Sequence, residues 1–222
     1  MNKQEKERLI DSLERYVGYY RNSLNEMEEN PNKVGSNGVR SPFFPIYYRK
    51  SMSWILDGLE RTGLYATQFE EQVSKMDEEL ESYISSHKDE FFNCLYIDLK
   101  RLIRKYEEYF KDFQEEKEYF GTSENISPLD KEYFFNRDVG LFFLDGYEFD
   151  ILISIRTFIE ILLEYLDGIY DLNELKNKVQ EMDIIFKRDL NDILKILMIE
   201  KYYSFAPFSP DRYWWLHIDE RQ

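Results

Sequence analysis

The chain has few of the residues from which compact metal, disulfide or nucleotide sites are built. Its 222 residues include a single cysteine, Cys94, which excludes an internal disulfide and a thiolate metal cluster. The two histidines, His87 and His217, lie in unrelated segments, and neither follows a glutamate by three residues as in di-iron helical bundles. The nine glycines form no Gly-x-x-x-x-Gly-Lys phosphate loop. We therefore expect no cofactor and no metal ion, and these motifs assign no catalytic residue.

Long apolar runs are also missing. The most apolar segment, 151–166, is interrupted by Ser154, Arg156, Glu160 and Glu164 and is too short to span a bilayer. The chain begins Met-Asn-Lys-Gln-Glu-Lys-Glu-Arg, with no apolar signal region behind it. The sequence therefore predicts a cytoplasmic protein without a membrane partner.

Acidic and aromatic residues are the two abundant classes. Asp and Glu total 44 against 29 Lys and Arg, which gives a formal charge of -15. A surface of this charge repels nucleic-acid phosphate and anionic lipid, and it attracts basic proteins. Aromatic residues make up 17% of the chain, which is more than an acidic disordered chain carries. We therefore expect a folded protein whose partner is a basic protein rather than DNA or RNA.

Apolar residues recur at three- and four-residue steps along most of the chain, which predicts an all-α, single-domain bundle of about six helices. The fourth helix has the clearest apolar stripe, made of Phe92, Leu95, Leu99, Leu102, Ile103, Tyr106, Phe110 and Phe113. Thr67 and Glu70 have the spacing of a capping box at the start of the third helix. The predicted helices span 3–29, 48–61, 67–85, 89–120, 145–166 and 171–197.

The fifth and sixth predicted helices are joined by the short turn 167–170, which makes them antiparallel neighbours. The fifth helix is apolar around most of its circumference, so we expect it to be the central and most buried one. Glu160 and Glu164 lie one turn apart on it, as buried acid and base pairs do in some enzymes. Because its polar residues follow helical spacing, we interpret them instead as a narrow solvated stripe; they are Asp150, Ser154, Thr157, Glu160, Glu164 and Asp167.

Three segments of the predicted domain, 1–222, fall outside the main helices. The loop 30–46 is rich in proline and aromatic residues, the linker 121–127 separates the helical halves, and the tail 202–222 is aromatic. Pro207 and Pro210 rule out a long helix through the start of that tail. A short helix beginning at 127–130 and a short strand at 142–144 are also predicted. We find no internal repeat in the sequence.

The tail carries Arg212 and His217, separated by the four residues Tyr213-Trp214-Trp215-Leu216. This motif resembles the signature of HEPN-domain ribonucleases, which are helical and often belong to toxin or defence systems. The resemblance implies a homodimer in which Arg212 holds an RNA phosphate and His217 assists proton transfer. Arginine matches phosphate oxygens in a fork, and histidine titrates near neutral pH. The chain departs from the family by placing the motif after two prolines instead of within a long helix.

Aromatic residues are unusually dense in the loop and in the tail. Burying one such side chain is worth about 1.5 to 3 kcal/mol, so these rings either pack on the bundle or contact a partner. Packing on the bundle is the default expectation. A partner-binding surface would combine aromatic anchors with an acidic rim. The residues that we assign to it are Trp214, Trp215, Tyr213, Phe43, Phe44, Asp77, Glu78 and Glu81.

Three functions are compatible with these observations. The preferred one is an acidic cytoplasmic binding protein that neutralises or sequesters a basic protein, as an immunity protein, an antitoxin or an inhibitor does. The second is a HEPN-like ribonuclease that acts as a dimer through Arg212 and His217. The third is a structural or scaffolding helical protein whose acidity serves only solubility. The missing catalytic motifs favour a protein that is not an enzyme.

Overall fold

The computed structural model describes residues 3–29, 42–60, 63, 66–120, 146–196 and 215. These residues form an all-α fold with six helices and no strand, which confirms the predicted fold class. None of the described helices has both the length and the apolar character needed to cross a membrane. The helices are α1 (Lys3–Glu29), α2 (Phe43–Glu60), α3 (Thr67–Ser86), α4 (Lys88–Phe120), α5 (Gly146–Leu166) and α6 (Asn173–Ile196).

Two helix starts differ from the sequence prediction. Helix α2 begins at Phe43 rather than Tyr48, so the last part of the predicted loop 30–46 is helical. Pro45 is accommodated because it lies in the first turn, where a backbone N–H has no partner within the helix. The capping box at α3 is absent, since Ala66 is the N-cap residue and no side chain caps this end. Thr67 is already inside the helix, one position too late to cap it.

The buried apolar side chains form one cluster to which all six helices contribute. Helix α5 is buried around most of its circumference, as predicted, through Leu152, Ile153, Ile155, Ile159, Ile161, Leu162, Leu163 and Leu166. On α4 the predicted stripe is confirmed at Leu95, Leu99, Ile103, Tyr106 and Phe110. Phe91 is buried while Phe92 and Leu102 are only partly buried, and the side chain of Phe113 lies outside the described residues. The short helix at 127–130, the strand at 142–144 and the linker 121–127 lie outside the described residues.

The six helices form two three-helix units with the same arrangement. In the first unit α1 packs against both α2 and α3, and in the second α4 packs against both α5 and α6. The second and third helices of each unit are joined by six residues, 61–66 and 167–172. Each connection contains a glycine with a positive φ, 72° at Gly63 and 79° at Gly168. The two units therefore correspond in helix contacts, connection length and glycine turns, a correspondence that the search for a sequence repeat did not show.

Short matches between the two units are visible once their helices are paired. The third helices share Val-x-x-Met-Asp, as Val73–Asp77 in α3 and Val179–Asp183 in α6. The second helices share Ile-x-x-Arg, as Ile46–Arg49 in α2 and Ile153–Arg156 in α5. The segments between the first and second helices, 30–42 and 121–145, differ in length, so one fixed sequence offset cannot reveal the repeat.

The units are joined closely. His87 is the only residue between α3 and α4, and its backbone N–H donates to the carbonyls of Tyr83 and Ile84. Between α2 and α5, the ring of Phe158 lies 5.0 Å from that of Phe43 and 4.9 Å from that of Tyr47. The units therefore share a packed interface as well as a covalent junction.

Candidate functional site

Each unit contains a tyrosine, an arginine and an aspartate in the same arrangement. In the first unit Tyr20 donates a hydrogen bond to Asp77 Oδ1 at 3.0 Å, and Arg49 Nε donates to both Asp77 oxygens at 2.8 and 2.7 Å. We call these three residues the open cluster. Each residue comes from a different helix of the unit, so the cluster ties α1, α2 and α3 together.

The equivalent group in the second unit consists of Tyr106, Arg156 and Asp183, which we call the sealed cluster. Tyr106 donates to Asp183 Oδ1 at 3.1 Å. Arg156 binds Asp183 in a fork, with Nε to Oδ1 and Nη2 to Oδ2 both at 2.8 Å. Arg156 and Asp183 each lie about midway along their helices, so their ion pair joins α5 and α6 near the centres of these helices.

Trp215 closes the sealed cluster. Its ring lies over the Arg156 guanidinium, with the Cζ atom 3.9 Å from the ring centroid, and its indole N–H donates to Thr157 Oγ1 at 3.0 Å. Arg156 also donates from Nη1 to Glu160 at 2.9 Å. The Arg156 side chain is only 6% exposed, and Trp215 is fully buried. Ion pairing, hydrogen bonding and stacking therefore compensate the cost of removing the Arg156 cation from water.

The electrostatics of the sealed cluster do not suit proton transfer near neutral pH. Burial alone would lower the pKa of Arg156, but the hydrogen bonds and charge of Asp183 and the charge of Glu160 outweigh it and raise that pKa. Burial, reinforced by the charge of Asp183, raises the pKa of Tyr106 well above its usual value. Arg156 stays cationic and Tyr106 stays neutral, so this cluster holds helices together.

Glu160 and Glu164 bind different cationic side chains. Glu160 accepts from Arg156, whereas Glu164 binds Lys50 of α2 at 2.8 Å and so links the two units. The interpretation of this face as a solvated stripe is also wrong in part, because Thr157 is buried and both glutamates have side chains less than one-fifth exposed. The stripe is polar because it makes contacts between helices.

Tyr20 is as fully buried as Tyr106, but the arginine and the aspartate of the open cluster are exposed where their counterparts are buried. The side chains of Arg49 and Asp77 are 37% and 30% exposed. Within the described part of the chain, Arg49 uses only its Nε–H, so its two terminal nitrogens face solvent or a cleft. This cleft has a volume of about 240 Å³ and lies between α2 and the start of α3; its lining is Arg49, Ser53, Leu56, Asp57, Glu60, Ala66 and Glu70. We call it the Arg49 cleft.

A second and larger groove lies on the other side of α3, against the end of α1. Its volume is about 540 Å³, and it is lined by Glu28, Lys75, Glu78, Glu79, Ser82, Tyr83, Ser86 and His87. Arg21 of α1 forms an ion pair with Glu79 in this region. The groove is therefore acidic, with His87 stacked on Tyr83 at its far end, 4.4 Å between ring centroids.

Helix α3 separates these two depressions and presents an acidic surface to solvent. Glu70, Glu71, Glu78 and Glu81 are exposed, and Lys75 is the single basic residue in the helix sequence. Among the described residues these four carboxylates form no ion pair. We call them the α3 acidic face; it is an uncompensated negative surface flanked by a cleft on each side.

The residues that the sequence assigned to partner binding lie in different parts of the structure. Glu78 and Glu81 belong to the α3 acidic face, whereas Asp77 belongs to the open cluster. Phe43 is only 4% exposed and Trp215 is fully buried, so neither presents an exposed ring to a partner. Phe44 is partly buried against Phe43 and Tyr48. The predicted site residues Arg212, Tyr213, Trp214 and His217 lie outside the described residues.

Sequence reasoning missed the central residues of both clusters. Tyr106 was predicted only as part of the apolar stripe of the fourth helix, and neither Tyr20 nor Arg49 was assigned to a site. One usable signal was Arg156, since a lone cation in the most apolar helix requires a buried acidic partner. Its partner Asp183 is distant in sequence, so only the fold identifies the pair.

The chain has no match among known protein-family models, curated proteins or solved structures. Within the described ranges, no three His, Cys, Asp or Glu side chains are grouped so that they could hold a metal ion. Functional inference for this fold therefore depends on the α3 acidic face and its two flanking clefts.

Proposed function

We propose that this protein is a binding protein that captures a basic protein through the α3 acidic face. The observation that carries the proposal is the set of exposed, unpaired carboxylates on α3, namely Glu70, Glu71, Glu78 and Glu81. Elsewhere on the fold, acidic side chains are often used internally, as Asp77, Glu160, Glu164 and Asp183 are. The α3 face is distinct because four exposed carboxylates lie on one helix beside two clefts.

Such a surface suits capture of a basic partner. A concentrated negative field accelerates the encounter with a positively charged protein and repels acidic competitors. The grooves beside α3 give long basic side chains room to reach carboxylates such as Glu28 and Glu78. Neutralisation or sequestration, as by an immunity protein, an antitoxin or an inhibitor, is the kind of function that this chemistry supports.

The experiment that tests the proposal is affinity capture with the full chain from the cells that make it. Bound proteins would be identified by mass spectrometry, and the complex would be measured by calorimetry at about 0.01 M and about 1 M salt. Between these concentrations the Debye length falls from about 30 Å to about 3 Å, so a complex held by charge weakens strongly. We expect a basic partner whose binding is lost at high salt.

A matched pair of variants locates the binding surface. The triple variant Glu71→Gln, Glu78→Gln and Glu81→Gln removes three charges from α3. The control variant Glu14→Gln, Glu174→Gln and Glu181→Gln removes the same charge from exposed positions on α1 and α6. We expect the first to weaken binding at least tenfold more than the second. Equal effects, or a partner that is not basic, would contradict the proposal.

A further inference from the structure

The two clusters differ in what covers the arginine. In the sealed cluster Arg156 has Trp215 stacked on its guanidinium and Glu160, four residues later, on its Nη1. In the open cluster the residue four positions after Arg49 is Ser53, which supplies no carboxylate. Among the described residues, no aromatic ring lies over Arg49. Within the described residues, the same arginine–aspartate pair is thus covered by a ring in one unit and not in the other.

Among the described residues, the connectivity explains why the first unit has no equivalent of Trp215. Trp215 follows the last helix of its unit in the sequence. In the first unit α4 begins at Lys88, one residue after α3 ends at Ser86. The single residue between these helices is too short a connection to reach back to Arg49, so this junction supplies no ring equivalent to Trp215.

The Arg49 cleft has the size and charge for such a ring on a basic segment. Its volume of about 240 Å³ is below the roughly 300 to 1,000 Å³ of pockets for drug-sized ligands, so it suits a single side chain. Leu56 and Ala66 supply apolar walls. Asp57, Glu60 and Glu70 are exposed at its edge, and none of them is ion-paired within the described residues. These carboxylates attract cationic flanking residues.

We propose that the Arg49 cleft receives an aromatic side chain, in the simplest case tryptophan, from a basic segment of the partner. The ring stacks on the Arg49 guanidinium as Trp215 does on Arg156, and basic neighbours of the ring pair with Asp57, Glu60 or Glu70. This inference deepens the proposed function by naming the anchoring side chain, and it rests on that function for the basic character of the partner.

The test uses three capped pentapeptides added to the full chain labelled with nitrogen-15. Their sequences are Lys-Lys-Trp-Lys-Lys, Lys-Lys-Ala-Lys-Lys and Glu-Glu-Trp-Glu-Glu. Binding is followed by amide chemical shifts in two-dimensional NMR spectra. We expect the first peptide to bind about tenfold more tightly than the second, the size of a desolvated cation–π contact, and the third to bind least. The shifts should centre on the amides around Arg49, Ser53 and Glu70.

Two variants distinguish the cleft from general charge attraction. Ser53→Phe fills the cleft without altering the Arg49–Asp77 ion pair, and Arg49→Lys removes the planar stacking surface while keeping the charge. Each should abolish the advantage of the tryptophan peptide over the alanine peptide. The control Arg101→Lys, on an exposed arginine of α4, should preserve it. Thermal unfolding would confirm that each variant is folded, and Ser53→Phe alone decides the result if Arg49→Lys is not.

The possible outcomes separate this inference from the proposed function. If the tryptophan and alanine peptides bind equally, with shifts along α3, the acidic surface is supported and the aromatic anchor is overturned. If neither lysine peptide binds, the anchor is overturned and the proposed charge-based capture loses its support as well. Binding of the tryptophan peptide that survives Ser53→Phe would also overturn the anchor, since the ring would then lie elsewhere.

Discussion

The sealed and open clusters place the same three side chains in two different surroundings. Arg156 and Asp183 are almost completely enclosed, whereas Arg49 and Asp77 are about one-third exposed. In the enclosed setting, removal of one partner leaves an uncompensated charge away from water, which is strongly destabilising. In the exposed setting water replaces the lost partner. The contribution of each aspartate to stability is therefore set by its burial and not by its hydrogen-bond distances, which are nearly the same.

We predict that Asp183→Asn lowers the free energy of unfolding by about 3 kcal/mol, the scale for breaking a buried pair. Asp77→Asn should lower it by about 1 kcal/mol or less, as for an exposed ion pair. Urea unfolding followed by circular dichroism at neutral pH measures both values. Losses of equal size would show that the two clusters are equally accessible to water.

Tyr106 gives the protein a predicted weakness at alkaline pH. Burial raises the pKa of Tyr106, so the folded state keeps this proton after the unfolded state begins to lose it near pH 10. The unfolded state then binds fewer protons than the folded state, and stability falls as the pH rises above about 10. Below about pH 10, Tyr106 is protonated in both states and its contribution to stability is fully present.

We expect Tyr106→Phe to reduce the loss of stability between about pH 10 and 11.5 by up to about 1.4 kcal/mol per pH unit, the value for one proton. Urea unfolding at a series of pH values provides the measurement. The control is Tyr19→Phe, which changes a tyrosine that is 49% exposed and should leave the pH dependence as it was. If the dependence of stability on pH were the same in Tyr106→Phe as in the unmodified protein, Tyr106 would lose its proton as readily in the folded state as in the unfolded state.

At the scale of helices, periodicity predicted almost all of the described fold. The all-α class and the buried, central position of α5 follow from the spacing of apolar residues, whereas the antiparallel order of α5 and α6 stays a prediction. The start of α2 was mispredicted because proline is a helix breaker in the interior but not in the first turn. The pairing of Arg49 with Asp77 could not be predicted, since the registration of helices depends on packing between distant segments.

The two glycine turns are a second feature at this scale. Gly63 and Gly168 have φ values of 72° and 79°, a region that costs other residues about 1 to 2 kcal/mol, although nothing within 4 Å blocks an added Cβ. Gly18, in the interior of α1, also has open space around it but no positive φ. The three positions therefore differ in backbone conformation alone.

We predict that Gly63→Ala and Gly168→Ala each destabilise the protein by about 1 kcal/mol through backbone strain. Gly18→Ala should stabilise it by about 0.5 to 1 kcal/mol, because alanine loses less conformational freedom in a helix. Chemical denaturation of the three variants under one condition tests the opposite signs. Destabilisation by Gly18→Ala would show that this part of α1 is not an unstrained helix.

For the whole molecule, the net charge of -15 is the dominant electrostatic feature. Self-repulsion of this size destabilises a compact state, and added salt screens it. This charge follows directly from the amino-acid composition, whereas its distribution over the surface does not. Some of the carboxylates form ion pairs within the fold, whereas the exposed carboxylates of the α3 acidic face form none among the described residues. Only the structure distinguishes the two groups.

We expect the midpoint of urea unfolding to rise as sodium chloride increases from about 0.01 M to about 1 M, because the Debye length shortens from about 30 Å to about 3 Å. The Glu71→Gln, Glu78→Gln and Glu81→Gln variant should show a smaller rise, since it carries less charge to screen. A midpoint that falls with salt would indicate that favourable ion pairs outweigh repulsion across the fold.

The contrast between the two arginine–aspartate pairs also sets which substitutions the chain can accumulate. Arg49 and Asp77 can be substituted one after the other, because the charge that remains after the first substitution is still hydrated. At the second unit's pair, the same changes require simultaneous compensation, because neighbouring groups in one buried network couple strongly in their effects on folding. Divergence of the two halves would therefore begin around Arg49, the place where a new binding preference can arise without endangering the core.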